Sequence, residues 1–281
     1  MTIDVIIPAY NCCATLPRTL ASLASQTDNR FNVIVVDDFS SESLIDVVQQ
    51  YEGTLNIKYI RNNCNVGCGM SRQVGIDEST AEYFCFLDAD DMFMPYTIQI
   101  FHEVISNDNS IELLYGPFYV QEVIDGKNTL RVQQDGFTWC HGKLYNAARV
   151  KELGIRNMPC IKYADDSFFN SICFELMRAK QVKIPLYLYA DNPKSVMRKI
   201  DVERDQNKVY DFVLAMYESC KFVLKYKPTI DHLEYTFEHL RQCDNMPHEA
   251  FELYTELEKI YKKQSTYNKN NNLLNYDEEV E

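Results

Sequence analysis

The 281-residue chain has no CxxC pair among its 10 cysteines, no basic N-terminal region and no long apolar run. A membrane-spanning helix needs about 20 consecutive apolar residues. The opening run from Ile3 stops at Pro8, so neither a signal peptide nor a span is expected. The cysteines sit singly in apolar stretches, as Cys85 does, or at isolated positions such as Cys64 and Cys68. This excludes a disulfide scaffold and predicts reduced thiols in a cytoplasmic protein. His232, His239, Cys243 and His248 match no zinc-module spacing and are read as helix-surface or core residues. Positive charge is also scarce, with 28 Lys and Arg against 41 Asp and Glu, a formal net charge of −13. Such a surface repels nucleic-acid backbones at long range. Any nucleic-acid contact would have to be local and supported by a few basic side chains, with Arg149, Lys151, Arg156 and Lys162 as the strip to look at. Tryptophan occurs once, but 19 Tyr and 15 Phe exclude disorder for most of the length.

What is present is an alternation of strand and helix signals. Apolar β-branched runs at 3–7, 31–36, 57–60 and 83–87 read as strands, and residues 14–25 and 68–78 read as helices. Ser40 or Ser41 is the expected cap of another helix running to about Tyr51. Past Pro95 the pattern predicts a helix to about Ser106. A longer strand over 111–124, a turn at Asp125-Gly126 and a return strand over 127–134 follow. A helix over 165–179 and a strand over 182–189 come next. From about 204 the pattern is wholly helical, with helices at 204–223, near 231–242 and at 247–263. Lys259, Lys262 and Lys263 read as a solvated helix face. Strands between helices imply βαβ units, with ligands beyond the carboxyl ends of the strands. The expected fold is α/β: a Rossmann-like mixed, mainly parallel sheet flanked by helices, with a C-terminal all-helical extension. Residues 1–200 form the α/β domain. Residues 201–265 are the extension and 266–281 a flexible tail.

The polar clusters fall at the strand ends. Asp88-Ala89-Asp90-Asp91 follows an apolar strand, and carboxylates there suit hard divalent cations such as Mg²⁺ or Mn²⁺. A helix N-cap is the plain alternative for an acidic run before a helix. Asp37-Asp38 ends another strand, where it can cap a helix or hydrogen-bond a base or ribose. Pro8-Ala9-Tyr10-Asn11 ends the first strand and can line a base pocket. Asn65-Val66-Gly67 opens a helix whose small residues allow close approach, and Arg72 offers a guanidinium for a phosphate or base. Trp139 and His141 can stack on a sugar or simply fill a core.

In order and spacing these motifs resemble the family 2 glycosyltransferases of GT-A fold. Gly142-Lys143-Leu144-Tyr145 resembles that family's segment before the acceptor helix. Ala164-Asp165-Asp166-Ser167 resembles its Glu-Asp base motif with Asp165 in place of Glu, and Tyr187 to Arg198 resembles its closing segment. The resemblance covers roughly residues 1–200 and implies that 1–95 are a nucleotide-sugar-binding half and 96–200 an acceptor half sharing one sheet. It implies a metal-dependent, inverting transfer of a sugar from a UDP-sugar to a hydroxyl acceptor, with Mn²⁺ or Mg²⁺ as cofactor. The acceptor classes it leaves open are glycan, lipid-linked glycan, protein and hydroxymethylated base of phage DNA. It further implies donor contacts from Pro8, Ala9, Tyr10, Asp38 (uracil), Gly67, Arg72, Asp88 (ribose), Ala89 and Arg198. Asp90 would hold the metal, and Arg198 or Lys194 would assist the leaving UDP. Trp139, His141, Lys143 and Asp91 would meet the acceptor. Asp166 would be the general base, with Asp165 as the other candidate. A nucleotidyltransferase and a non-catalytic nucleotide-sugar binder are the rival readings. The first usually needs a Gly- and Lys/Arg-rich loop at the first strand, and Pro8 to Asn11 is not one.

Overall fold

The computed structural model describes residues 1–124, 127–134, 138–190, 192, 202–231 and 246–270. Four parallel strands open the fold: Ile3–Ala9 (β1), Asn32–Asp37 (β2), Ile57–Arg61 (β3) and Tyr83–Phe86 (β4). The side chains of β1, β2 and β4 are almost wholly buried, as a sheet covered by helices on both faces requires. Leu16–Ala24 (α1), Ile45–Gln49 (α2) and Cys68–Glu78 (α3) connect these strands. Helix α1 buries Leu16, Leu20 and Leu23, the apolar stripe of its 3.6-residue period. Helix α3 instead buries Gly69, Ser71, Arg72, Gln73 and Gly75, a small and polar face.

The chain continues through Met92–Phe93 (β5), Thr97–Asn107 (α4), Leu113–Tyr115 (β6), Phe118–Ile124 (β7) and Lys127–Gln133 (β8). Lys143–Asn146 (β9), Ala147–Leu153 (α5), Asp165–Leu176 (α6), Ala179–Gln181 (β10) and Tyr187–Tyr189 (β11) follow. One sheet has the order β10-β6-β9-β4-β1-β2-β3, with only β9 antiparallel to its neighbours. A second sheet, β5-β11-β7-β8, stands beside it. The mixed, mainly parallel sheet flanked by helices is thus present as the sequence implies.

Three local expectations change. The single strand over 111–124 is two, because Gly116-Pro117 breaks it and sends β6 and β7 into different sheets. Of the strand expected over 182–189 only Tyr187–Tyr189 (β11) forms, after Pro185, while Ala179–Gln181 (β10) precedes it because α6 ends at Leu176. Helix α2 begins only at Ile45 with Leu44 at its N-cap, so neither Ser40 nor Ser41 caps it. Ser40 Oγ accepts from the Asn11 amide at 2.9 Å, and the Ser41 amide donates to the Asn11 side chain at 2.8 Å.

Val202–Val223 (α7) and His248–Asn270 (α8) form the helical extension. Val213, Met216, Cys220 and Val223 are fully buried in one cluster with Phe169 and Ile172 of α6, so the extension shares the core of the α/β domain. Helix α8 runs to Asn270, past the expected boundary at 265. The helix predicted near 231–242, with His232, His239 and Cys243, and the Asp125-Gly126 turn lie outside the described residues. His248 is exposed at the start of α8. Among the described residues every cysteine is free, and no helix is long and apolar enough to cross a membrane.

Candidate active site

The ends of β1, β2 and β4 meet at one lip. The Asp38 amide donates to Ala9 O at 2.7 Å, which ties the first two strand ends together. Pro8 and Ala9 are buried backbone wall, while Tyr10 and Phe39 stand out half-exposed. Asn11 and Phe39 adopt positive φ angles of 49° and 64°. For a bulky side chain this left-handed conformation is strained, and such strain gathers at binding sites. The Asp38 carboxylate is nearly buried. It accepts from the Val66 and Gly67 amides, both at 2.8 Å, and from Asn62 at 2.9 Å. Asp38 therefore shapes the loop that leads into α3 at Gly67, whose φ of 88° suits glycine. Asp37 is buried and ion-paired with Arg61, and it accepts from Tyr59 at 2.6 Å.

Arg72 departs from its expected role. It is 6% exposed and points inward, where it ion-pairs with Asp88 at 2.7 Å and with Asp165, and its guanidinium lies over the Phe86 ring. It is thus committed to two protein carboxylates and not to a ligand phosphate. Gly69, one turn earlier, makes room for this arrangement. A Cβ there would sit 2.6 Å from Asp165 Cβ. Arg72 joins the donor-side Asp88, which follows β4, to the acceptor-side Asp165 at the start of α6. Burial raises Asp88, but the charges of Arg72 and His141 outweigh it and hold the carboxyl well below its ordinary range.

The rest of the acidic run divides sharply. Ala89 is buried. Asp90 accepts from Asn192 at 2.7 Å, and its carbonyl accepts from Arg18 at 2.5 Å. Burial raises its pKa. Asp91 does not face an acceptor. It is 1% exposed and accepts from the Tyr187 hydroxyl at 2.6 Å and the Ala190 amide at 2.8 Å. Burial, with the charges of Asp88 and Asp90, pushes its carboxyl well up. Lys143 is another correction, because it is fully buried in β9 with its ammonium over the Phe174 ring. Trp139 packs edge-on against Phe118 and is half-buried, a core contact. His141 lies nearer the chemistry, with Nε2 3.8 Å from Asp88 Oδ2. Asp88, Asp91 and His141 each offer a ligand atom within 4.8 Å of the others, a donor set suited to a divalent cation. Lys194 and Arg198 lie outside the described residues.

Asp165 and Asp166 differ in surroundings. Asp165 is locked to Arg72. Asp166 is partly exposed, and its Oδ1 accepts from the Ser167 amide at 2.8 Å. Burial and then the neighbouring Asp165 charge push its carboxyl up to about 7. That matches a base operating near neutral pH. The loop before it is held from the extension, where buried Asp211 accepts from the Lys162 and Tyr163 amides at 2.7 and 2.9 Å. Arg18, Asp211, Gly69 and the hydroxyl of Tyr187 are positioning groups that motif reading passed over. Only Gly69 carried a signal, as a small residue one turn ahead of Arg72. In the expected basic strip Arg149 pairs with Glu112 and Glu152 and Arg156 with Asp77, while Lys151 and Lys162 are exposed.

An α/β sheet whose strand ends gather the acidic run Asp88 to Asp91 and the Asp165-Asp166 pair has the architecture of a glycosyltransferase of GT-A type. The family model described as "Glycosyl transferase family 2" matches residues 4–168, and the chain belongs to that family. An uncharacterized glycosyltransferase of Haemophilus influenzae is 38% identical over 124 residues, covering 44% of this chain and 41% of that protein. The chain thus spans less than half the length of that relative. Among solved structures, S. aureus TarS 1-349 in complex with UDP-GlcNAc has a TM-score of 0.71 at 22% identity, covering 86% of this chain and 72% of that one. A mannosyltransferase of Pyrobaculum calidifontis in complex with GDP-Man and Mn²⁺ has a TM-score of 0.57 at 15% identity, covering 94% and 82%.

Proposed function

We propose that this glycosyltransferase is metal-dependent and inverting, and that it takes its sugar from a UDP-sugar. The observation that carries the reading is the Arg72 bridge, which fixes Asp88 and the Asp165-Asp166 pair about one guanidinium. Donor and acceptor chemistry then share one lip. Tyr10 and Phe39, half-exposed over the ends of β1 and β2, flank the base, with Pro8, Ala9 and Gly67 as backbone wall. Asp38 serves the base through the loop it holds. Asp88 and Ala89 would meet the ribose side, and Asp90 would hold the metal. The metal, when bound, supplies positive charge to a departing diphosphate. Asp166 takes the acceptor hydroxyl's proton as the oxygen attacks the anomeric carbon in line, inverting it. Asp165 keeps its charge on Arg72 and is a strut. The DxD-type run, the TarS complex with UDP-GlcNAc and the mannosyltransferase complex with Mn²⁺ support the choice of UDP donor and metal.

The family assignment removes the nucleotidyltransferase alternative. The retained carboxylates Asp88, Asp90 and Asp166 speak against a non-catalytic binder. The test is a screen of UDP-sugars, UDP-N-acetylhexosamines first, scored by UDP release with Mn²⁺, with Mg²⁺ and with excess EDTA. Release with one donor and a cation, abolished by EDTA, is expected. Undiminished release in EDTA would sink the metal requirement, and turnover only of GDP- or CMP-linked sugars would sink the UDP assignment.

A further inference from the structure

Neither nitrogen of the His141 imidazole makes a hydrogen bond among the described residues. Nδ1 is buried without a partner, and Nε2 faces Asp88 Oδ2 at 3.8 Å, beyond hydrogen-bond range. The ring is wedged between Phe118 and Tyr187, with centroids at 4.8 and 4.7 Å, and Tyr189 lies 5.4 Å away. Three aromatic neighbours hold the imidazole toward the acidic run and offer its nitrogens nothing in return. A buried polar atom left unmet costs roughly 1–3 kcal/mol. With no partner to fix the tautomer, Nδ1 can carry the proton, which leaves the Nε2 lone pair on the Asp88 side open to a ligand.

The spacing says which ligand. Two donor atoms that each sit about 2.1 Å from one cation lie roughly 3.0–4.2 Å apart. The 3.8 Å between Nε2 and Asp88 Oδ2 falls in that interval. Asp91, the third member of the cluster, already spends both oxygens on Tyr187 and Ala190 and is the least available. We propose that His141 is a protein ligand of the divalent cation, joining Asp88 from the acceptor half of the fold. The inference rests on the metal-dependent reading above; it adds His141 and Asp88 to Asp90 as ligands and so takes Asp88 from the ribose to the cation. Asp88 follows β4 and His141 precedes β9, so a cation held by both would join the two halves through the Asp88 oxygen that Arg72 leaves open. An imidazole in the set also favours Mn²⁺ over Mg²⁺.

The experiment is electron spin echo envelope modulation of Mn²⁺ bound to the full chain with UDP. Coupling to a histidine nitrogen is expected, changed in pattern when the protein is made with isotopically labelled histidine. It should vanish in His141→Gln, whose Mn²⁺ affinity should fall at least about tenfold, the lower end of what losing even an outer-shell partner costs. Mn²⁺ bound with UDP but without nitrogen coupling overturns the inference and leaves the donor reading standing. Coupling that persists in H141Q overturns it too, because another histidine is then the ligand. No Mn²⁺ binding at all overturns both. The wild-type spectrum alone decides the first case, so poor folding of the variant cannot hide the answer.

Discussion

Asp165 and Asp166 are chain neighbours with the same side chain, and the fold assigns them opposite tasks. Asp165 spends its charge on Arg72, while Asp166 is desolvated beside that charge and held near 7. Asp166→Asn should lower kcat by about 10²–10⁴, the usual contribution of a general base, and leave UDP affinity near wild type. Steady-state kinetics with UDP titration checks this, and near-normal turnover would remove Asp166 from the chemistry. The same shift has a stability consequence of definite sign. The folded-state pKa lies above the unfolded one, so the native state binds the extra proton between about pH 4 and 7 and loses stability as pH rises through that window. D166N should therefore melt higher than wild type at pH 8, by about 1–3 kcal/mol, with the difference gone near pH 4. Equal melting at both pH values would show that the carboxyl is not desolvated. Asp165→Glu restores the residue type usual at this position in the family, yet it should destabilise. Asp165 lies against Gly69 and ion-pairs with buried Arg72, so a longer side chain must displace that pair or overpack, and overpacking by a methylene costs about 1–3 kcal/mol. Thermal unfolding of D165E that matched or exceeded wild type would refute that account.

At the scale of elements, α6 carries the base but does not place itself. The loop before it hangs on Asp211 of α7, so the helical extension reaches the active site through two hydrogen bonds. Asp211→Ala leaves two buried amides without their acceptor, at about 1–3 kcal/mol. Kinetics of D211A should show kcat reduced several-fold with UDP binding unchanged, since α7 touches only the acceptor side. A matched loss of UDP affinity would mean a general loosening instead. Most elements were legible in the sequence because hydrophobic period and strand-end polar clusters encode them; α3 appears at its expected bounds, 68–78. The breaks at Gly116-Pro117 and Pro185 were not, since an apolar run does not say which sheet its strand joins. At the site, DADD and the Asp165-Asp166 pair stood out from spacing. The partners of Arg72, Asp91 and Lys143 did not, because a charged residue in a motif reads as facing a ligand until the fold shows what lies behind it.

For the whole molecule, charge narrows the acceptor. The chain carries a net charge of −13, and the arginines of its expected basic strip are already paired, Arg149 with Glu112 and Glu152 and Arg156 with Asp77. Such a surface repels a polyphosphate acceptor beyond contact range, and salt weakens that repulsion as the Debye length shrinks below about 10 Å. A DNA-modifying enzyme with a built phosphate track behaves in the opposite way, losing affinity steeply as salt rises. KM for an anionic polymer acceptor should therefore fall between about 50 and 300 mM salt, and KM for a neutral glycan should stay flat. A KM on DNA that climbs tenfold or more over the same range would reveal a basic track that the described surface does not carry. The acidic surface would then belong to a face turned away from the acceptor.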